Sequence, residues 1–155
     1  MAYTPIVPYA DVAYGDAYFA DRLGADAWTG ANKEKALKQA TQMIDLLPLV
    51  GTKYDETQAN QFPRSCDENG VVPDEVMQAC CEVAIALLEG KTVKTMSAAV
   101  GVVAERVGDS STEYAEGGRG GMALYDEAYG LPSITAAQLL APWLEDMESI
   151  DITRE

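Results

Sequence analysis

The run VPDEVMQACCEVAIALLEG, residues 72–90, decides the fold. Pro73 suits the first helical position, where its missing N–H leaves no bond unmade, and Asp74 and Glu75 suit the positive end of a helix dipole. Val76, Cys80, Val83 and Leu87 then follow at spacings of four, three and four, with Met77, Cys81, Ala84 and Leu88 as a second stripe beside them. A helix apolar over so wide an arc needs cover on most sides. The spacing therefore predicts a central helix, which Gly90 ends.

Upstream, Pro5 and Pro8 hold the chain extended. Asp11 is a plausible N-cap for a short helix over Asp11 to Leu23, with Tyr14, Ala17 and Tyr18 on one face and Gly24 as a stop. A stronger helix begins near Thr29 to Asn32, either of which can cap it. Leu37, Ala40, Ile44 and Leu47 form its buried stripe, Lys33, Lys35, Lys38 and Gln39 lie off it, and Pro48 with Gly51 closes it. Between Gly51 and Val72 the turn-forming Asp55, Asn60, Pro63, Asp67, Asn69 and Gly70 predict a long connection anchored by Tyr54 and Phe62. A loop of that length generally has a job or a fixed pose.

Downstream, the β-branched and small residues from Thr92 to Val107, followed by Gly108-Asp109 and Ser110 to Tyr114, read as a β-hairpin or projecting arm. Glu116 to Gly121 is a flexible linker by composition. A last helix is expected to start at Thr135, with Gln138 completing a capping box, Ile134 and Leu139 as a hydrophobic staple, and Pro142 kinking it. The fold class predicted is mainly α, a small bundle of about four helices with an extended β-hairpin arm: a single domain over 1–155, with a helical core over about 9–90, a hairpin arm and linker over about 91–130, and a C-terminal helix and tail over about 131–155.

Composition narrows the function. A chain of 155 residues can bury roughly 70% of its unfolded surface in one domain. Its 48% hydrophobic and 23% charged content predicts a folded, soluble protein rather than a disordered one. The 25 Asp and Glu stand against 11 Lys and Arg, a formal charge of −14 that repels phosphate, and no local basic patch offsets it. The absence of His removes the usual proton shuttle and zinc ligand and points away from an enzyme; no cofactor or metal is expected. Cys66, Cys80 and Cys81 are too few for a disulfide framework and read as small apolar residues in a reducing compartment. The N-terminus has neither a basic region nor a long apolar stretch, and no run approaches the ~20 apolar residues of a membrane span, so the expected location is the cytoplasm.

Three motifs have bland readings. The glycines at 117–121 lack the Gly-Lys-Ser or Gly-Lys-Thr ending of a phosphate loop. The carboxylate pairs Asp74-Glu75 and Glu145-Asp146 lie at a helix start and on a helix tail, without a nucleophile or partner base. Tyr14, Tyr18, Phe19, Trp28, Tyr54 and Phe62 lack interleaved Lys and Arg, which favours core or subunit packing over base stacking.

Several phrases, in order, resemble a known family. They are Tyr9-Ala10-Asp11, Asp16-Ala17-Tyr18-Phe19, Leu23-Gly24-Ala25-Asp26-Ala27-Trp28, Lys33-Glu34-Lys35-Ala36-Leu37, Ala40-Thr41 and Ile44-Asp45. Gln58 with Phe62-Pro63-Arg64, then Val72-Pro73-Asp74-Glu75-Val76 followed by Ala79, Glu82, Ala84 and Leu87, continue the series, with an echo at Val107-Gly108 and Glu113-Tyr114. Together they resemble the tailed-phage head-tail connectors, or neck adaptors, a family whose members are often labelled DnaT-like single-stranded-DNA-binding proteins. The segment from Thr92 to Val100 and the loop around Arg119 depart from that pattern.

The resemblance implies a non-enzymatic virion protein of the neck, present in the host cytoplasm before assembly. It would form a homo-oligomeric ring, dodecameric by resemblance, beneath the portal, and would extend the DNA channel as a platform for tail attachment. Its partners would be other copies of itself, the portal, a head-closure or tail protein of the neck, and genomic DNA sliding past acidic walls without tight binding; no membrane is involved. On this reading Val102, Val103, Val107, Glu113 and Tyr114 form a subunit-interface arm, and Trp143, Leu144, Met147 and Ile150 a portal-docking tail. Another neck component, a head-closure or tail-terminator protein, is disfavoured by the helical content. The alternative from a different class is a single-stranded-DNA-binding accessory protein of replication, in which Trp28, Tyr18 or Phe62 stacks on bases and Arg64 or Arg119 meets phosphate. The net charge opposes it.

Overall fold

The computed structural model describes residues 3–91 and 130–145. Among them the chain is mainly helical: α1 (Val12–Ala20), α2 (Lys33–Asp45), α3 (Asp74–Leu88) and α4 (Ile134–Leu140), with single 3-10 turns at Glu68–Gly70 and Ala141–Trp143. No strand forms among these residues; pairing is limited to the isolated antiparallel bridges Leu49 with Leu144 and Lys53 with Arg64. The hairpin arm and linker expected over 91–130 lie, apart from their end residues, outside the described residues.

α3 is the centre. Both of its apolar stripes are used: Val76, Cys80 and Val83 are fully buried, as is Cys81, while Leu87 and Leu88 are half-buried at its end. It packs chiefly on α2 and α4, and α1 covers part of what remains. From α2, Leu37, Ala40 and Ile44 supply the facing layer, and Leu131 and Leu140 close the core from the α4 side. Each buried Leu or Ile side chain contributes about 1.5–3 kcal/mol by leaving water.

A carboxylate is buried among the helices. Glu82, on α3, is 3% exposed; it accepts a hydrogen bond from the Tyr18 hydroxyl at 2.7 Å and pairs with the Arg22 guanidinium. Both donors come from α1 and the turn after it. The pair thus fastens α1 to α3 while satisfying a carboxylate that would be costly if left alone.

The helix ends are decided locally. Asp11 caps α1 by accepting the Tyr14 N–H at 2.7 Å, as its position predicts. The helix stops at Ala20 rather than near Leu23, which is 97% exposed and has no apolar partner to hold another turn. Pro73 is the N-cap of α3 rather than its first helical residue, because its ψ of 148° is extended. α4 starts at Ile134, not Thr135: Ser133 is the cap, accepting the Ala136 N–H at 3.2 Å, so the Thr135 to Gln138 capping box does not form. Pro142 falls in the 3-10 turn after α4 and therefore kinks nothing. At the end of α3 the chain turns at Gly90 with φ of +74°, the left-handed conformation that glycine adopts most readily.

Gly15 lies within α1 because the Trp28 ring rests against its backbone; a Cβ there would be 2.4 Å from Trp28 Cζ2. Helix propensity alone makes Gly15→Ala stabilising by about 0.8–1 kcal/mol. Overpacking opposes it by about 1–3 kcal/mol, and Trp28 is pinned by its indole N–H bond to Asp16 at 2.8 Å. The expected result is a net loss of stability, seen as a lower urea midpoint at unchanged slope; a higher midpoint contradicts the contact.

Candidate functional site

The aromatic and basic side chains are where any ligand chemistry must be sought, and most are already engaged. Phe19, Trp28 and Phe62 are buried at 5%, 8% and 2% exposure. Phe19 lies 4.8 Å from Trp28 and 5.1 Å from Tyr18, centroid to centroid, and Tyr18 is tied to Glu82. Trp28, Tyr18 and Phe62, which the single-strand-binding alternative would stack on bases, therefore have their rings or hydroxyl committed to the domain, in line with the packing role their sequence context favours.

Arg64 is likewise no phosphate ligand. It is 4% exposed, and its guanidinium fans onto main-chain carbonyls: Nη2 donates to Gly51 at 2.6 Å and Val50 at 3.0 Å, Nε to Val50 at 3.1 Å, and Nη1 to the Gln61 side chain at 2.9 Å. Its own N–H donates to Asp67 Oδ2 at 2.6 Å, and Asp67 Oδ1 accepts the Trp143 indole N–H at 2.8 Å. The Trp143 ring meets Phe62 edge-on at 5.8 Å, and its carbonyl accepts the Val50 N–H at 2.7 Å. Leu144 is buried at 8% and bridges to Leu49. Trp143 and Leu144, read from sequence as a docking tail, are thus packed against the domain itself. Met147 and Ile150 lie outside the described residues, as do Val102, Val103, Val107, Glu113, Tyr114 and Arg119.

A second polar hub joins the N-terminal segment to this loop. The Tyr9 hydroxyl donates to Asp45 and accepts the Phe62 N–H at 3.1 Å, while the Tyr9 N–H reaches Thr41 Oγ1 at 3.1 Å. Burial pushes the Tyr9 hydroxyl well above the ordinary tyrosine range, and the Asp45 carboxylate adds to the effect. Burial also raises the Asp45 carboxyl, against the hydrogen bonds from Tyr9 and the Gln61 N–H.

Of the cations, Arg22 is paired with Glu82, Lys33 with Asp16 at 2.9 Å, Lys38 with Glu34 at 2.7 Å, and Lys91 with Glu89. Lys35 and Lys53 have no ion pair among the described residues, although the Lys53 ammonium donates to the Gln58 carbonyl at 3.2 Å. A cleft of about 250 Å³ between the end of α3 and the start of α4 is lined by Arg22, Glu82, Glu89, Lys91 and Ser133 among others, and both its cations are the paired ones. Among the described residues no cluster of His, Cys, Asp and Glu is placed to hold a metal ion, and no helix is long and apolar enough to cross a membrane. Cys80 and Cys81 are buried free thiols, with burial raising both, whereas the free Cys66 is exposed.

Among the described residues the exposed aromatics are Tyr3 and Tyr54, at 76% and 54%. By sequence Tyr54 belongs with the packing aromatics, and nothing in its spacing distinguishes it from Phe62, whose ring is buried.

Residues 8–155, nearly the whole chain, match the family described as "Putative DnaT-like ssDNA binding protein". The chain belongs to this family. Neither the curated proteins nor the solved structures contain a match to it. Membership in a family described by single-stranded DNA binding overturns the head-tail connector reading, with its neck and portal roles. The physical reason is visible in the structure. The phrases that carried the resemblance are centred on Tyr9, Phe19, Trp28, Leu37, Ile44, Phe62, Arg64, Val76 and Glu82, all buried, and buried positions specify a fold rather than a partner.

Arg64→Met leaves the Val50 and Gly51 carbonyls without their donor and should cost about 2–4 kcal/mol in urea denaturation, whereas a loss below about 0.5 kcal/mol contradicts the assignment. Because the folded-state pKa of Tyr9 is raised, the native state keeps a proton that the unfolded chain loses above about pH 10, so stability falls as pH rises from there. Tyr9→Phe should make that fall shallower by up to about 1.4 kcal/mol per pH unit; Tyr18, also raised by burial and Glu82, sustains part of it.

Proposed function

We propose that this protein is a non-catalytic accessory factor that contacts single-stranded DNA. The observation that carries the reading is the family match over residues 8–155. The electrostatics define what kind of contact it must be. With a net charge of −14, and with Lys35 and Lys53 the only described lysines free of an ion pair, counterion release contributes little. Base contacts, above all stacking on an exposed ring, must supply most of the affinity, and these do not discriminate strongly among sequences. Duplex DNA hides its base faces and offers chiefly phosphate, so it is the disfavoured form.

The test is fluorescence anisotropy of a labelled oligothymidylate against the same oligonucleotide annealed to its complement, over a range of salt. The expected outcome is binding to the single strand with a log–log salt slope of about −0.7 to −1.4, one or two phosphates' worth, and weaker binding to the duplex. No binding to the single strand at the lowest salt sinks the proposal.

A further inference from the structure

The long connection after α2 carries an aromatic ring held in a fixed pose with much of its surface open. Tyr54 sits where two segments of this loop pair: its N–H donates to the Pro63 carbonyl at 3.0 Å, Lys53 bridges to Arg64, and the Ser65 N–H reaches the Thr52 carbonyl at 2.8 Å. Gln58 locks the intervening turn from inside, with its Nε2 donating to the Asn60 and Pro63 carbonyls at 2.9 Å each and its Oε1 accepting the Asp55 N–H at 3.1 Å. The ring itself rests on backbone: a Cβ at Gly70 would be 2.6 Å from Tyr54 Cε1 and 2.9 Å from both Cδ1 and Cζ. Gly70 has φ of +62°, so the position is suited to glycine twice over, by conformation and by the nearness of the ring.

Among the described residues the other exposed aromatic is Tyr3, which lies in the N-terminal segment before α1 at 76% exposure. A ring already immobilised loses little entropy when a planar ligand lands on it, which is the advantage of preorganisation. Beside Tyr54 are Lys53, free of any ion pair among the described residues, and the exposed Val71 next to Gly70. Asp55, Glu56 and Glu68 are exposed on the same loop, so the surface as a whole repels phosphate and favours an uncharged flat group over a charged one.

We infer that Tyr54, seated on Gly70 and flanked by Lys53, is the platform on which an unpaired base stacks, with Lys53 meeting one adjacent phosphate. This assignment rests on the single-stranded-DNA reading given above and places its contact on the loop between α2 and α3. Tyr54→Ala should weaken oligothymidylate binding about tenfold, as loss of one stacked base does, and Tyr54→Phe should keep it. Lys53→Ala should make the salt slope shallower by about 0.7. Because Tyr54→Ala removes part of the loop's packing, its urea midpoint is measured alongside. The wild-type chain is also photocrosslinked to an oligonucleotide carrying 5-iodouracil and the adduct mapped by mass spectrometry. An adduct at Tyr54 with the tenfold loss supports the site. Full binding by Tyr54→Ala, or an adduct mapping to another segment, overturns the site and leaves the single-strand function standing, whereas a wild-type chain that binds no single strand overturns both.

Discussion

Helix α3 is apolar over more of its circumference than one neighbour can cover, and the layout of the chain follows from that constraint. A helix with a single apolar face is content with one partner; this one buries residues in unbroken succession from Ala79 to Ala86 and needs α1, α2 and α4 around it. The segment carrying α4 must therefore return from far along the chain to complete the cover. Glu82 is the one charge in that succession, and it is tolerated because Tyr18 of α1 and Arg22 of the turn after it converge on it.

The loop between α2 and α3 solves a different problem. A stretch with few apolar anchors cannot be held by burial alone, so its backbone groups must find partners elsewhere. Arg64 serves as an internal bracket for the carbonyls of residues 50 and 51, Asp67 holds both the Arg64 N–H and the Trp143 indole, and Tyr9 closes the far side through Asp45 and Phe62. The loop, the segment after α4 and the N-terminal strap thereby become one polar-stitched layer, and Tyr54 projects from it.

How much of this is legible in the sequence depends on the kind of force involved. Periodic burial is legible: the α2 stripe of Leu37, Ala40 and Ile44 and both stripes of α3 lie where their spacing puts them, and Asp11 caps α1 as its position predicts. Boundaries set by competing local options are less so. Ser133 and Thr135 are both good caps, and the structure uses Ser133, whose hydroxyl accepts the Ala136 N–H. Roles that depend on long-range contacts are not legible at all. Arg64 looks like a surface cation in a polar loop until the carbonyls that enclose it are seen, and nothing local separates Tyr54, which is exposed, from Phe62, which is packed against Trp143. The partner is the least legible, since the buried phrases that suggested one describe packing.

The distribution of the thiols gives the protein a built-in clock. In the native state a thiol reagent meets Cys66 at the surface, while Cys80 and Cys81 lie sealed at the middle of α3, with burial suppressing their thiolate forms. Labelling of the second and third sulfurs can proceed only when the helix that organises the whole domain is laid open. The rate of that slower modification measures how often the centre of the molecule breathes, without any probe having to be introduced.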